Sequence, residues 1–266
     1  MVEGSSTRNP LVADYSERKA RDYFQTYYSE VVLPDEQAVL AYQIEVLRAA
    51  RARFGRGLEY GCGPTLHRAI AASRYTFRLD MADWLADNLA EAREWLCADP
   101  GAPAWKRFTR YVLACEGQSR PTNSQVLKRE ALARKVVRGL YVSDARLRQP
   151  LGPARESFYD LVITGFCIDA ISSDPRVFRR CLRNVTSMLQ PEGTFIIHAL
   201  HRCQAYKCGE RMFPGSNLTA DDMKAAMLEN GFAPASIDVQ VIPCRQNAMY
   251  GYSGILTASG RKARKR

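Results

Sequence analysis

A glycine-containing turn is the first place where the residue types could do chemistry. Leu58-Glu59-Tyr60 has the pattern of a short strand, and Gly61-Cys62-Gly63-Pro64-Thr65 follows it before a predicted helix. Glycine is favoured in such a turn when a ligand must approach the backbone closely and the turn needs unusual dihedral angles. Any strand-to-helix turn can also use glycine for structural reasons alone. The turn by itself therefore leaves a ligand-binding role and a structural role open.

Two aspartates at the ends of later predicted strands favour a nucleoside ligand. Asp83 closes the strand after the turn, and Asp144 closes another strand further along the chain. The carboxyl ends of parallel strands form a ligand crevice, where one acid can accept the ribose hydroxyls. A second acid at the same edge suits the amino group of adenine. Each aspartate could instead cap the helix that follows it.

The residues after the turn indicate which nucleoside ligand fits. A dinucleotide site would need the third glycine of GxGxxG, whereas Gly63 is followed by Pro64, Thr65 and Leu66. The lysine of a phosphate-binding loop is also missing. The pattern therefore favours a ligand with ribose and adenine but without phosphates. S-adenosylmethionine is the common ligand of that kind.

An alternation of strand and helix patterns must position these residues. Strands that alternate with helices imply one parallel sheet with helices on both faces, which is an α/β fold. The last two strands would close the sheet as a pair. The apolar spacing predicts strands over 75–82, 108–115, 140–142, 159–164, 194–198, 237–242 and 252–258, and helices over 65–73, 84–97, 125–137, 175–189 and 219–230.

The two ends of the chain differ from this alternating part. Residues 1–13 have the composition of a disordered leader, and two helical patterns within 14–54 predict an N-terminal helical cover. A single domain over 14–258 accommodates the cover and the alternating part. Residues 259–266 then form a basic tail that is predicted to be disordered.

Composition and charge exclude several classes of protein. The 266 residues are 46% hydrophobic and 25% charged, which is the balance of a soluble globular protein. We find no signal-peptide pattern and no apolar run of membrane length, and the eight cysteines include no CxxC pair. A reduced, cytoplasmic chain is therefore expected. The net charge of +10 could attract nucleic acid or anionic membrane, but the tail supplies much of it and we expect neither partner.

Several short segments occur in order along the chain, namely RDYFQTYY at 21–28, LEYGCGPT at 58–65, MADW at 81–84 with Asn88, SDARLRQPLG at 143–152 and FCIDA at 166–170. Taken in order over residues 15–258, the chain resembles the nicotinamide, phenylethanolamine and indolethylamine N-methyltransferase family of class I methyltransferases. The resemblance implies a Rossmann-like, mostly parallel sheet of seven strands with an antiparallel closing hairpin and an N-terminal helical cover. It also implies S-adenosyl-L-methionine as cofactor and S-adenosyl-L-homocysteine as product.

The same resemblance implies cofactor-binding roles for individual residues. The tyrosines of the first segment would close over the cofactor, although a core-facing helix could also carry them. Asp83 and Asn88 would hold the ribose. The two residues that follow Ser143 would bind the adenine. The set predicted to bind the cofactor is Tyr23, Tyr28, Gly61, Cys62, Gly63, Thr65, His67, Asp83, Asn88, Asp144, Ala145 and Gly165.

The resemblance implies fewer residues for contact with the substrate that accepts the methyl group. Asp169 falls where the family places an acid near the substrate, and it is the predicted catalytic residue. The segment after the fifth strand aligns loosely, and its nearest candidates for substrate contact are Cys203 and Tyr206. Tyr250 in the closing hairpin is a further candidate. The HxxHxC spacing that begins at His198 matches no standard zinc pattern, so no metal is expected.

These inferences predict a monomeric, cytoplasmic enzyme that transfers a methyl group to a nitrogen of a small molecule. An oxygen or sulfur acceptor and an RNA substrate remain alternatives, as does a non-catalytic binding protein with the same fold. An amine that binds unprotonated needs no base, and otherwise Asp169 or a nearby histidine could take the proton. On this hypothesis, Asp169→Asn lowers turnover of a nitrogen substrate by about tenfold.

Overall fold

The strands form one seven-stranded sheet and a separate hairpin. The structure is a computed structural model that describes residues 20–29, 31–50, 52–208, 211–244 and 251–264. Its strands are β1 (Phe54–Tyr60), β2 (Thr76–Asp83), β3 (Val137–Val142), β4 (Tyr159–Gly165), β5 (Leu189–His201), β6 (Ala205–Cys208), β7 (Arg211–Pro214), β8 (Asp238–Pro243) and β9 (Gly254–Arg261). The sheet has the order β3-β2-β1-β4-β5-β9-β8. The first five strands in this order, from β3 to β5, are parallel to one another. β9 is antiparallel to both its neighbours, β5 and β8. This arrangement confirms the predicted fold class.

Helices connect the parallel strands and precede the first of them. They are α1 (Ala20–Tyr28), α2 (Pro34–Ala49), α3 (His67–Ala72), α4 (Ala86–Leu96), α5 (Lys106–Cys115), α6 (Asn123–Val136), α7 (Pro175–Thr186) and α8 (Ala220–Glu229). α1 and α2 fall within the predicted N-terminal cover, and the predicted leader over 1–13 lies outside the described residues. In the part of the chain that the structure describes, we find no helix of the length and apolarity that a membrane span requires.

Residues 108–115 form part of helix α5 rather than the predicted strand. The helix buries Phe108, Val112 and Leu113, which recur at the spacing of a helical face. Phe108 packs against Trp105 with the ring centroids 5.2 Å apart. The prediction of a strand was wrong because a short apolar run does not by itself distinguish a strand from a helix.

The last part of the chain also differs from the prediction. The β6–β7 hairpin, which the apolar pattern did not indicate, follows β5 directly. β9 continues to Arg261 because it pairs along β5 as far as Thr194. The predicted disordered tail over 259–266 is therefore wrong at its start, and its last two residues lie outside the described residues.

The strand order brings the chemistry-bearing turns to one edge of the sheet. β1 lies between β2 and β4, so that Tyr60 pairs with Ala82 on one side and Thr164 on the other. Asp83 at the end of β2 pairs with Val142 at the end of β3. Four carboxyl ends of strands therefore meet at this edge, which is where open α/β sheets bind ligands.

Candidate active site

A cleft at this edge is lined by most of the residues that were predicted to bind the cofactor. Its volume is about 870 Å³, including the open mouth. Three residues that were not predicted, Arg68, Arg146 and Phe166, also line the cleft. Each directly follows a predicted residue in the sequence, but the motifs and their spacing did not indicate it. The predicted residues in the lining are Tyr23, Tyr28, Gly61, Cys62, Gly63, Thr65, Asp83, Asn88, Asp144, Ala145 and Gly165.

The two glycines of the turn serve different purposes. Gly61 and Gly63 have positive φ angles of 68° and 58°, a conformation that favours glycine. A side chain at Gly61 would overlap the side chain of Cys167. A Cβ atom at Gly63 would be no closer than 3.9 Å to the side chains of Thr65 and Tyr23. The first glycine therefore allows close packing inside the protein, and the second leaves space at the cleft.

Asp83 joins three parts of the cleft wall. One carboxylate oxygen accepts the Gly63 N–H at 2.8 Å. The other accepts the Leu85 N–H at 2.9 Å and the Asn88 side-chain amide at 2.8 Å. The side chain is largely buried yet lines the cleft. The capping role and the ligand-binding role of this aspartate are therefore compatible.

Asp144 forms a bidentate ion pair in the cleft wall after β3. The guanidinium of Arg146 donates to both carboxylate oxygens at 2.8 to 3.0 Å. Burial opposes ionisation of Asp144, but the hydrogen bonds from Arg146 outweigh it and lower the pKa of the carboxyl group. The adjacent Ala145 is fixed by its carbonyl, which accepts the Asn184 amide at 2.9 Å. This part of the wall is therefore charged and firmly held.

Glu36, His67 and Arg68 form a buried cluster beside the cleft. Glu36 Oε1 lies 2.6 Å from His67 Nε2 and accepts a hydrogen bond from Arg68 at 3.1 Å. Burial would raise the pKa of Glu36, but Arg68 and His67 together lower it to about 2. Burial lowers the pKa of His67 to about 4. At neutral pH the cluster therefore contains an ionised carboxylate, a neutral imidazole and a guanidinium.

The structure does not bring His67 into the cleft, contrary to its predicted contact with the cofactor. The imidazole is fully buried and stacks on Trp105 with ring centroids 5.3 Å apart. The centroid of the Tyr28 ring lies 5.1 Å from that of the imidazole. Tyr28 lines the cleft, whereas His67 does not. The hydrogen bond to Glu36 and the ring contacts explain why the side chain turns into the core.

We expect Glu59 to make stability depend on pH. This β1 side chain is 1% exposed, and burial raises its pKa from 4.5 to about 8. Between these pH values unfolding releases a proton, so the free energy of unfolding falls as the pH rises. Glu59→Gln should raise the free energy of unfolding at pH 8 by more than about 1 kcal/mol and change it little near pH 4.5. Denaturant titrations with the exposed Glu45→Gln as control measure this, and an equal effect at both pH values would contradict it.

A second cavity, of about 770 Å³, adjoins the cleft. Tyr23, Tyr28 and Phe166 line both cavities. The predicted substrate residue Tyr206 lines the second cavity, whereas Tyr250 lies outside the described residues. The rest of the lining is mainly aromatic and aliphatic, with two acids from the start of α2, and consists of Tyr27, Leu33, Asp35, Glu36, Ala170, Leu200, Tyr252 and Ile255.

Asp169 and Cys203 do not reach the lining of either cavity. Asp169 is 2% exposed, and one of its carboxylate oxygens accepts the Leu200 N–H at 2.9 Å. Burial raises the pKa of Asp169 to about 6. Cys203 is fully buried behind Gly215, at which a Cβ atom would be 2.7 Å from the cysteine Sγ. Both side chains therefore support the second cavity from inside the protein.

The histidines of the HxxHxC segment have separate surroundings. His198 is buried with its ring edge-on to Tyr42, at a centroid distance of 6.1 Å, and burial lowers its pKa to about 3. His201 Nδ1 lies 2.7 Å from the Ser253 hydroxyl. Within the described ranges, no group of three or more histidine, cysteine, aspartate or glutamate side chains is arranged to hold a metal ion.

The fold is shared with solved structures of methyltransferases. One of them is the 1,6-didemethyltoxoflavin-N1-methyltransferase of Burkholderia thailandensis, whose structure contains 1,6-didemethyltoxoflavin and S-adenosylhomocysteine. The two structures superimpose with a TM-score of 0.55 at 15% sequence identity, over 97% of each chain. This likeness concerns the fold, and the sequence relatives are more specific.

The chain belongs to the NNMT/PNMT/TEMT family, whose model matches residues 11–263. Indolethylamine N-methyltransferase of Oryctolagus cuniculus is 29% identical over 220 residues, which are 80% of this chain and 81% of the relative. Nicotinamide N-methyltransferase of Homo sapiens is 27% identical over 205 residues, 77% of this chain and 76% of the relative. The protein is therefore an S-adenosylmethionine-dependent enzyme that methylates a nitrogen of a small molecule, which confirms the predicted family, cofactor and activity.

The cleft residues fit this cofactor. Space at Gly63 allows a ligand to approach the backbone, and Asp83 presents a carboxylate at the end of the second strand, where a ribose is held in folds of this type. Tyr23 and Tyr28 add aromatic faces suited to a positively charged sulfur.

Proposed function

We propose that S-adenosylmethionine binds in the cleft and that the acceptor nitrogen enters from the second cavity. The observation that supports this most strongly is the wall of Tyr23, Tyr28 and Phe166, which both cavities share. Ligands in the two cavities would therefore meet at these three side chains. That arrangement suits a transfer between two bound molecules, because the reacting atoms must be brought close together and aligned.

Inside the cleft, the predicted residues would orient the cofactor. Asp83 would accept the ribose hydroxyls while Asn88, hydrogen-bonded to it, holds the carboxylate in place. Asp144 and Ala145 would receive the adenine. The methionine portion would then lie beside Gly165 and the two tyrosines, which line the same cleft.

The bound cofactor supplies a methyl group on a positively charged sulfur, which is already activated for transfer. The protein residues orient the two ligands and exclude water. Tyr23 and Tyr28, with ring centroids 5.7 Å apart, would cover the meeting point of the cavities and offer their faces to the cation. The N-terminal cover thereby contributes to the site as well as to the core.

The lining of the second cavity favours an amine carried on an aromatic or apolar body. Tyr27, Tyr206 and Tyr252 offer flat surfaces for such a body. Asp35 lies in the first turn of α2, where the helix dipole stabilises a negative charge. Its carboxylate can accept a hydrogen bond from an amino group. The relatives named for indolethylamine and phenylethanolamine are consistent with this class of acceptor.

We expect Asp35→Asn to raise the KM for an arylalkylamine by about tenfold, because one charged hydrogen bond to the amine is lost. The measurement is S-adenosylhomocysteine production with indole-3-ethylamine as acceptor. Asp22→Asn, which removes an exposed acid from the first turn of α1, is the matched control. An unchanged KM in Asp35→Asn, or equal turnover of the corresponding alcohol by the wild-type protein, would contradict the proposed acceptor site.

We propose that Asp169 does not act on the substrate directly. Instead, its carboxylate would hold Leu200, which lines the second cavity, in position. Asparagine can still accept the Leu200 N–H, so Asp169→Asn should leave turnover within about twofold of the wild type. Asp169→Ala leaves this buried N–H unpaired and should lower the free energy of unfolding by about 1–3 kcal/mol. A tenfold loss of turnover in Asp169→Asn at unchanged stability would restore the predicted catalytic role.

We also propose that the enzyme works as a cytoplasmic monomer without a nucleic-acid partner. No disulfide joins the described cysteines, as expected in a reducing compartment. The basic end of the chain has partners within the protein, since Lys262 donates to the Asn230 carbonyl and Arg264 lies 3.6 Å from Glu192.

A further inference from the structure

Arg68 places a buried cation in the wall of the cleft. Its side chain is 3% exposed, and Glu36 accepts one hydrogen bond from its Nη2 at 3.1 Å. Among the described residues, Arg68 Nε has no hydrogen-bond partner. A guanidinium carries five N–H donors, and a buried donor without an acceptor is costly. The pairing with Glu36 therefore leaves hydrogen-bonding capacity of Arg68 unused.

The guanidinium lies directly against Gly165 at the end of β4. A Cβ atom at this position would be 2.7 Å from Arg68 Nε and 3.0 Å from its Cζ. The Phe166 ring centroid is 5.4 Å from the same Cζ. Glycine at position 165 thus lets the backbone of the cleft wall pass close to the arginine. Tyr23 and Tyr28 line the same cleft.

Charge in the rest of the cleft wall limits where an anionic group could bind. Asp83 and Asp144 contribute carboxylates to the described lining, and its two cationic residues are Arg68 and Arg146. Arg146 is engaged on both oxygens of Asp144. Among the cations of the described lining, Arg68 is therefore the one with a buried N–H donor that lacks an acceptor.

We propose that Arg68 binds the α-carboxylate of the methionine portion of the cofactor. The inference rests on the proposed function, in which Asp83 and Asp144 hold the adenosine and the amino-acid portion lies toward Gly165. The carboxylate is the anionic group of S-adenosylmethionine, and a guanidinium matches its planar pair of oxygens. Binding would supply Arg68 Nε with its missing acceptor, while Glu36 keeps its hydrogen bond from Nη2.

Two ligands that differ in the amino-acid portion test this role by calorimetric titration. S-adenosylhomocysteine carries the carboxylate, whereas 5′-methylthioadenosine keeps the adenosine and the sulfur but lacks it. Arg68→Met should lower the affinity for S-adenosylhomocysteine by about 10- to 100-fold and leave the affinity for methylthioadenosine within about twofold. Arg68→Lys should recover part of the lost affinity, because it restores a positive charge without the planar pair of donors.

A second variant separates binding from folding. Arg68→Met leaves the buried carboxylate of Glu36 without its cation, and the double variant Glu36→Gln/Arg68→Met removes both charges. The double variant should show the same selective loss of S-adenosylhomocysteine. An equal loss for both ligands, or no loss for either, would overturn the role of Arg68.

A comparison that needs no variant covers the case in which both variants fail to fold. The wild-type protein should then bind S-adenosylhomocysteine at least about tenfold more tightly than its decarboxylated analogue, and equal affinities would overturn the inference. Failure of the proposed function has a different signature. If methylthioadenosine bound equally well to wild type and to Asp83→Ala, the adenosine would not lie in this cleft.

Discussion

We expect replacement of Asp83 by alanine to lower the affinity for S-adenosylhomocysteine by at least about 100-fold. A charged hydrogen bond to a ribose hydroxyl contributes about 1.5–3 kcal/mol, and the variant loses this bond together with the acceptor that holds the turn. The Gly63 N–H, the Leu85 N–H and the Asn88 amide all lose their shared partner. The loss therefore combines a missing contact with a loosened cleft wall, and calorimetric titration measures it.

Asp160 provides the matched control for this variant. Its carboxylate also accepts two backbone N–H groups, from Gly55 at 2.6 Å and Arg56 at 2.9 Å, but at the start of β1 and β4 on the opposite edge of the sheet. Asp160→Ala should lower stability and leave cofactor affinity within about twofold of the wild type. If Asp83→Ala bound as tightly as Asp160→Ala, the ribose role of Asp83 would be wrong.

Gly61→Ala should have the largest effect on stability among the cleft residues. The new Cβ atom would overlap the Cys167 side chain, and the residue must also keep a positive φ angle of 68°. Backbone strain and overpacking together should lower the free energy of unfolding by more than about 3 kcal/mol. Chemical denaturation followed by circular dichroism measures this quantity.

Gly63→Ala separates the fold from the ligand in the same turn. Its φ angle is also positive, but the nearest side-chain atoms would lie 3.9 Å from the new methyl group, so we expect a loss of only about 1 kcal/mol of stability. Affinity for S-adenosylhomocysteine should nevertheless fall by about tenfold or more, since the methyl group occupies space at the cleft. Equal destabilisation by the two alanine variants would show that the packing of Gly61 against Cys167 is not decisive.

The cofactor side of the site could be predicted because local backbone structure places its residues. Gly61, Gly63 and Asp83 lie at or just after the end of a strand, and the parallel order of β1 and β2 brings these ends together. Asp144 follows β3 in the same way. A strand pattern and the residues at its end were therefore enough to locate these side chains at one edge of the sheet.

The acceptor side could not be predicted in the same way, because it is assembled from distant segments. Asp35 and Tyr252 line one cavity although they are far apart in the sequence. Cys203 and Tyr206 are close in the sequence, yet the chain entering the β6–β7 hairpin buries the first and leaves the second in the lining. Which of two neighbouring side chains faces a cavity depends on tertiary contacts that composition and spacing do not contain.

His67 illustrates the same limit within a matching motif. Its position after Thr65 suggested a cofactor contact, but Glu36 on α2 and Trp105 before α5 draw the ring into the core. Arg68, the next residue, lines the cleft instead. The helix α5 that completes this packing was itself predicted as a strand, so the environment of His67 could not be read from the sequence.

Transfer of a labelled methyl group tests the central conclusion most directly. The wild-type protein is incubated with S-adenosylmethionine labelled with ¹³C in its methyl group and with an equimolar mixture of indole-3-ethylamine and the corresponding alcohol and thiol. We predict that the label appears on the amine nitrogen, with a carbon chemical shift typical of an N-methyl group, and that the Asp83→Ala protein transfers far less of it. Label on the oxygen or the sulfur, with none on the nitrogen, would contradict the conclusion that this protein is a small-molecule N-methyltransferase.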